Sequence, residues 1–228
     1  SDYIQEMDKK YGHPEYDREL VCAPIKSKLG KRYLSAMSCA ANFAFANKQM
    51  LTDAIRKNLQ HYFKELKAEV VYDICHNVAK VETHNIEGKE KEILVLRKGA
   101  TRSFGPSRKE IPKEYADVGA PILIPGSMGT SSYVLCGTDK AGEISLASTA
   151  HGAGRVKSRS QIKRELTFEV AKKRMEDRGI FVEAGSKKGL IEESPESYKD
   201  IESVVSVSHN LGIGTKVAKL KPFLVAIG

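Results

Sequence analysis

Residues 121–155, PILIPGSMGTSSYVLCGTDKAGEISLASTAHGAGR, hold two glycine-rich loops and one histidine, and the rest of the chain reads outward from them. The run Pro121-Ile122-Leu123-Ile124-Pro125 predicts a short buried strand closed by proline. Gly126-Ser127-Met128-Gly129-Thr130-Ser131-Ser132 then reads as a loop of glycines and hydroxyls. Its backbone can approach a ligand closely, and its N–H and O–H groups suit phosphate oxygens or the polar edge of a base. Tyr133-Val134-Leu135-Cys136 predicts a returning strand, and residues 143–147 alternate polar and apolar. In Ser148-Thr149-Ala150-His151-Gly152-Ala153-Gly154-Arg155 the imidazole is flanked by residues with almost no side chain. A phosphorylated group could reach it there, with Arg155 as a two-pronged phosphate contact. A histidine so placed serves as metal ligand, general acid or base, or nucleophile toward phosphorus; the same composition also makes plain turns. The G-K-[ST] ending of a Walker loop is missing, which argues against ordinary P-loop chemistry.

At 228 residues the chain is long enough for one domain with a real core or two small ones. Lys and Arg outnumber Asp and Glu 37 to 29, and the net charge of +8 favours a polyanionic partner through counterion release. Cysteines at 22, 39, 75 and 136 show no C-x-x-C spacing and are too few for a disulfide framework, so a reducing, cytoplasmic setting is expected. No apolar run reaches the length of a membrane span.

Upstream, Tyr3, Ile4 and Met7 have helical spacing before Gly12-His13-Pro14. A long helix is predicted over residues 35–66, with Leu51, Ile55, Leu59, Tyr62, Phe63 and Leu66 forming its apolar stripe and Ala36, Ala40, Ala41 and Ala44 allowing close packing at its start, or in a separate helix there. Residues 70–84 predict a strand, Ile86-Glu87-Gly88-Lys89 a turn and residues 93–96 a second strand. Arg97, Lys98, Arg102, Arg108 and Lys109 surround small and hydroxyl residues and Phe104, which suits RNA ends as well as it suits a solvated loop. Downstream, a helix is predicted from Ser158 or Ser160 to Gly179, with Ile162, Leu166, Val170 and Met175 inward. A strand follows at 181–184, a helix opening at Ser194-Pro195 with Tyr198, Ile201, Val204 and Val205 on its apolar side, and strand-like residues at 217–228. Together these predict a single α+β domain over residues 1–228, with mixed or antiparallel sheets packed with helices around a nucleotide-binding groove between residues 125–133 and 151–155.

The motifs PGSMGTSSYVLCGT and STAHGAGR resemble the RtcB family of RNA-splicing ligases. DRELVCAPIKS at 17–27, AMSCAANFAFANKQ at 36–49, DICHN at 73–77, KGATRSFGPSR at 98–108 and ESYKDIESVV at 196–205 extend the resemblance along the chain, in the family's order. The resemblance implies a GTP- and manganese-dependent enzyme of tRNA splicing and RNA repair, joining 2',3'-cyclic phosphate or 3'-phosphate ends to 5'-hydroxyl ends. By that likeness His151 is the residue guanylylated by GTP, and His76 binds manganese. Asn77, Pro125, Gly126, Ser127, Met128, Ser132, Gly152, Ala153, Gly154 and Tyr198 fall to the nucleotide site, and Lys98, Arg102 and Arg155 to the RNA phosphates. The family's remaining metal ligands lie on an Asp-x-x-Cys motif and two histidine motifs that precede this region. The resemblance therefore implies a complementary N-terminal half as partner, and an activating protein such as archease. The family usually ends in Lys-Gly, where the lysine touches guanine; here Ile227 precedes Gly228, and an apolar side chain cannot donate that hydrogen bond. A non-catalytic RNA- or nucleotide-binding fragment is the alternative, motivated by the charge and the ligands not in this sequence.

Overall fold

The computed structural model describes residues 2–17 and 20–227; Arg18 and Glu19 of the 17–27 motif, and Gly228, lie outside the described residues. Its contacts divide into two units, Ser1–Asp73 and Ile74–Gly228.

In the first unit, α1 (Asp2–Tyr11) buries Met7, and α2 runs from Lys28–Tyr62. The two helices meet through Tyr3 edge-on to Tyr33 and through Arg32 Nη1, 2.9 Å from Glu6. Ser27 sets the start of α2: it is extended, and its Oγ accepts from the Gly30 N–H at 3.0 Å, which satisfies one of the helix's unpaired donors. The helix thus begins earlier than the alanines suggested and runs unbroken through them. The predicted apolar stripe is not buried: Leu51 is 56% and Ile55 58% exposed, and Tyr62 and Phe63 are also open. The physical reason is length. Thirty-five residues rise about 50 Å, and the ten-residue α1 is the only other helix among the described residues of this unit.

The second unit opens at β1 (Asn77–Ile86), which pairs antiparallel with β2 (Lys89–Lys98) over ten residue pairs. Glu87 and Gly88 both have positive φ, as a two-residue hairpin turn matched to strand twist requires. The predicted strand at 70–76 does not form; that segment lies outside any ladder, and pairing begins only where a partner strand exists. β3 (Ala100–Arg102) follows at once, then β4 (Pro121–Ile124), β5 (Ser132–Gly137), the short helix α3 (Lys140–Ser145) and β6 (Ser148–Ala150). α3 takes in residues 143–145 of the stretch that alternates polar and apolar; so few residues do not let a period discriminate. α4 (Arg159–Glu165), α5 (Phe168–Glu176), β7 (Phe181–Ala184), α6 (Lys187–Glu192), α7 (Ile201–Asn210), β8 (Gly214–Leu220) and β9 (Leu224–Ile227) complete it. The single helix predicted across 158–179 is two, because Leu166 is extended and Thr167 caps a new helix by accepting from the Val170 N–H. Val170 consequently faces solvent, and Ala171 takes the buried position. At Ser194-Pro195 only a single 3₁₀ turn forms; Tyr198 is extended and α7 starts under the cap of Asp200, which accepts from the Ser203 N–H at 3.0 Å. The C-terminal strand is likewise two, parted around Lys221 and Pro222.

The sheets are small. β4-β5-β8 form an antiparallel three-stranded sheet, β3 pairs antiparallel with β6, and β7 pairs parallel with β9, so the unit is α+β with mixed pairing. Two cores fill it. Ile122, Ile124, Tyr133 and Leu135 of the three-stranded sheet pack against Ile201 and Val205 of α7, with Ala153 among them. Ile162, Leu166, Ala171, Met175, Ile180 and Leu190 form the second, and Met128 joins it. The glycine and hydroxyl loop is therefore pinned at both ends by one core and in its middle by the other.

Candidate functional site

The register of two ladders decides where the conspicuous histidines go. β1 and β2 close with Asn77 opposite Lys98, and β3 and β6 with Ala100 opposite Ala150. One step beyond each ladder, His76 and His151 both come to flank Gly99, the residue between β2 and β3. Gly99 has φ +66, and a Cβ built on it would stand 3.4 Å from His151 Cε1. Its N–H donates to Asn77 Oδ1 at 3.0 Å, tying the DICHN segment to the KGA turn. Across this turn the two imidazoles stack, with centroids 4.8 Å apart and planes 13° from parallel. His76 is exposed and His151 half-buried, so neither ring is sealed in apolar packing.

The glycine and hydroxyl loop reaches the same place. Ala153 N–H donates to Pro125 O at 3.0 Å, and a Cβ on Gly152 would meet that carbonyl at 3.3 Å, so residues 125 and 151–153 run against each other. Within the loop, Ser127 N–H donates to Thr130 Oγ1 at 2.7 Å and the two hydroxyls lie 2.9 Å apart, while Gly126 N–H reaches Ser132 Oγ at 3.4 Å. A Cβ on Gly126 would stand 2.2 Å from Ser131 O, so the loop folds back on itself tightly at a position that excludes any side chain. The Met128 side chain is buried in the second core.

Arg155 and Tyr198 follow the 151–154 loop. They bridge as an isolated antiparallel pair, and Lys199 N–H donates to Gly154 O at 2.9 Å. The Arg155 guanidinium donates to Lys157 O, Tyr198 Oη and Glu192 O at 3.1, 3.1 and 2.8 Å and lies 3.5 Å from Glu193. The Tyr198 hydroxyl donates to Glu193; burial, helped by that carboxylate, holds its pKa above the ordinary phenol value. Lys98 is exposed at the end of β2, beside the stacked rings in sequence. Arg102, about a third exposed, turns Nε to Glu82 at 2.9 Å.

The structure thus brings together His76, Asn77, Lys98, His151 and the loops at 125–132 and 151–154. Gly99 was within a quoted motif but given no role; a glycine joining two strands, between two histidine-bearing segments, was the available signal. Glu82 carried no sequence signal at all. Among the described residues no group of three or more His, Cys, Asp and Glu is gathered as a metal site, and no helix is long and apolar enough to cross a membrane.

A family model described as tRNA-splicing ligase RtcB matches residues 1–228. Relatives carrying that name include one from Methanococcus maripaludis, 46% identical over 235 residues, and one from Archaeoglobus fulgidus, 47% identical over 235; each match covers 100% of this chain and 49% of the relative. One from Pyrococcus furiosus is 48% identical over 236 residues, covering 100% of this chain and 24% of the relative. The chain spans about half the length, or less, of these curated relatives.

Proposed function

Since this chain belongs to the RtcB family, we propose that it carries the nucleotide-transfer half of a GTP- and manganese-dependent RNA ligase, with His151 as the nucleophile. The observation that carries the reading is the stack of His151 on His76 beside Gly99, with the Pro125 loop bonded to Ala153 alongside. In this reading a ring nitrogen of His151 attacks the α-phosphorus of GTP; a P–N bond forms, a P–O bond breaks and pyrophosphate leaves. An oxygen of an RNA 3'-phosphate then displaces the imidazole and takes the guanylate. Finally a 5'-hydroxyl attacks the activated 3'-phosphorus, loses its proton and releases GMP, leaving a phosphodiester. A 2',3'-cyclic phosphate enters after hydrolysis to the 3'-phosphate.

The residues of this chain bind and orient. Asn77, Pro125, Gly126, Ser127, Met128, Ser132, Gly152, Ala153, Gly154 and Tyr198 are the guanosine site; small side chains leave room for the ring and backbone N–H groups suit oxygen acceptors. Lys98, Arg102 and Arg155 supply positive charge for RNA phosphates. In this reading His76 is one nitrogen ligand of manganese, an ion that takes imidazole more readily than magnesium does. The described residues offer no three-ligand cluster, so its other ligands belong to a complementary half. When bound, the metal supplies Lewis-acid neutralisation of triphosphate charge.

Incubation with α-labelled GTP and manganese, with and without a polypeptide supplying the other half, tests the proposal. Label is expected on the assembled wild type and lost in His151→Ala; equal labelling of the two sinks it. Salt-sensitive RNA binding that survives His151→Ala, with no labelling in any assembly, would favour a non-catalytic binding fragment.

A further inference from the structure

Gly99 is where two ladders meet, yet Gly99 itself contributes only backbone and one hydrogen bond to Asn77. Something else must hold the angle between the β1–β2 hairpin and the β3–β6 pair, because that angle decides whether His76 faces His151. A carboxylate buried at the base of the junction is placed to do it. Glu82, on β1 and 3% exposed, accepts from Arg97 of β2 through both oxygens, at 2.7 and 2.9 Å. Arg97, itself 4% exposed, also donates to Ser148 Oγ of β6 at 2.9 Å and to Leu146 O at 3.0 Å. Arg102 of β3 donates to Glu82 at 2.9 Å, and the ring of buried His84 lies 3.0 Å from it. One carboxylate therefore bonds side chains from β1, β2 and β3, and through Arg97 reaches β6. These are the strands whose ends carry His76, Gly99 and His151.

We infer that Glu82 is a positioning residue: through Arg97 and Arg102 it fixes the angle between the two ladders and so holds the His76 ring against His151. The inference rests on the proposed role of His151 for its functional meaning, but its geometry stands on the bonds alone. Burial of the set speaks for specificity over stability. A buried ion pair commonly contributes little net stability relative to apolar residues of equal volume, whereas its fork geometry restricts how strands cross. Glu82 touches neither histidine, so its effect on transfer is indirect.

The test uses this chain with isotopically labelled histidine, and reads the nuclear Overhauser cross-peak between the His76 and His151 rings together with amide exchange at Gly99. In Glu82→Met/Arg97→Met, which removes the buried charges with similar volume, a folded protein with a melting temperature near that of the wild type is expected. Its cross-peak should vanish, and Gly99 exchange should quicken about ten-fold or more. Arg102→Met cuts one tie at a partly exposed position; it should weaken the cross-peak and decides the matter if the double variant does not fold. A cross-peak of wild-type intensity in either folded variant overturns the inference while leaving the proposed chemistry intact. A wild type without the cross-peak overturns the stacked site and the inference together.

Discussion

At the scale of single residues, Gly99 is the position where backbone conformation and site geometry coincide. Its φ of +66 lies where a side chain meets its own carbonyl, and the space above it belongs to His151. Gly99→Ala should cost about 1–2 kcal/mol, read as a lower urea midpoint at unchanged slope. Gly142, inside helix α3 with nothing within 4 Å of a built Cβ, is the matched control. Gly142→Ala should stabilise by roughly 0.5–1 kcal/mol, since alanine loses less backbone entropy in a helix. If Gly99→Ala leaves the midpoint unchanged or raises it as Gly142→Ala does, the assignment of strain to Gly99 is wrong. His151 was conspicuous in the sequence because small residues surround it. That His76 stacks on it was not legible, because His76 and His151 are 75 positions apart and only the two registers bring them together.

At the scale of elements, local chemistry was readable where a turn or chain-breaking residue acts on its neighbours. Residues 121–124, the Glu87-Gly88 turn and strand 181–184 form as predicted. It was unreadable where a boundary depends on a partner: the 70–76 segment lacks one, and the 158–179 helix breaks where Leu166 enters the second core. The exposed stripe of α2 and the buried centre of β5 give opposite expectations for apolar residues that look alike in sequence. Leu135, fully buried, should lose about 2–5 kcal/mol as Leu135→Ala, by lost burial and a cavity. Ile55→Lys should change stability by no more than about 0.5 kcal/mol. Chemical denaturation of the two variants checks this, and a large loss at Ile55 would mean that the α2 stripe is covered in solution.

At the scale of the whole molecule, charge enters twice. Buried Glu82 is penalised by burial, but hydrogen bonds from Arg97 and His84 and the charges of Arg97 and Arg102 outweigh that and hold its pKa near 2, against the usual 4.5. A carboxylate held low in the folded state contributes stability that is complete above about pH 4.5 and is lost as pH falls toward 2. Wild type should therefore lose stability through that window, and Glu82→Met/Arg97→Met should lose less of it; superimposable acid profiles would contradict the assignment. The net charge of +8 acts outward. RNA affinity, on the proposed reading, should fall steeply between about 50 and 200 mM salt as released counterions lose their advantage, and filter binding across that range would detect a flat response.

By itself the sequence determined the family, the two glycine-rich loops, the nucleophile candidate and the charge, because each is carried by neighbouring residues or by bulk composition. Only the tertiary structure decided that His76 stacks on His151 beside Gly99 and that Glu82 ties four strands together. Those contacts join positions 15 to 75 residues apart, and ladder register and burial, which no local pattern encodes, set them.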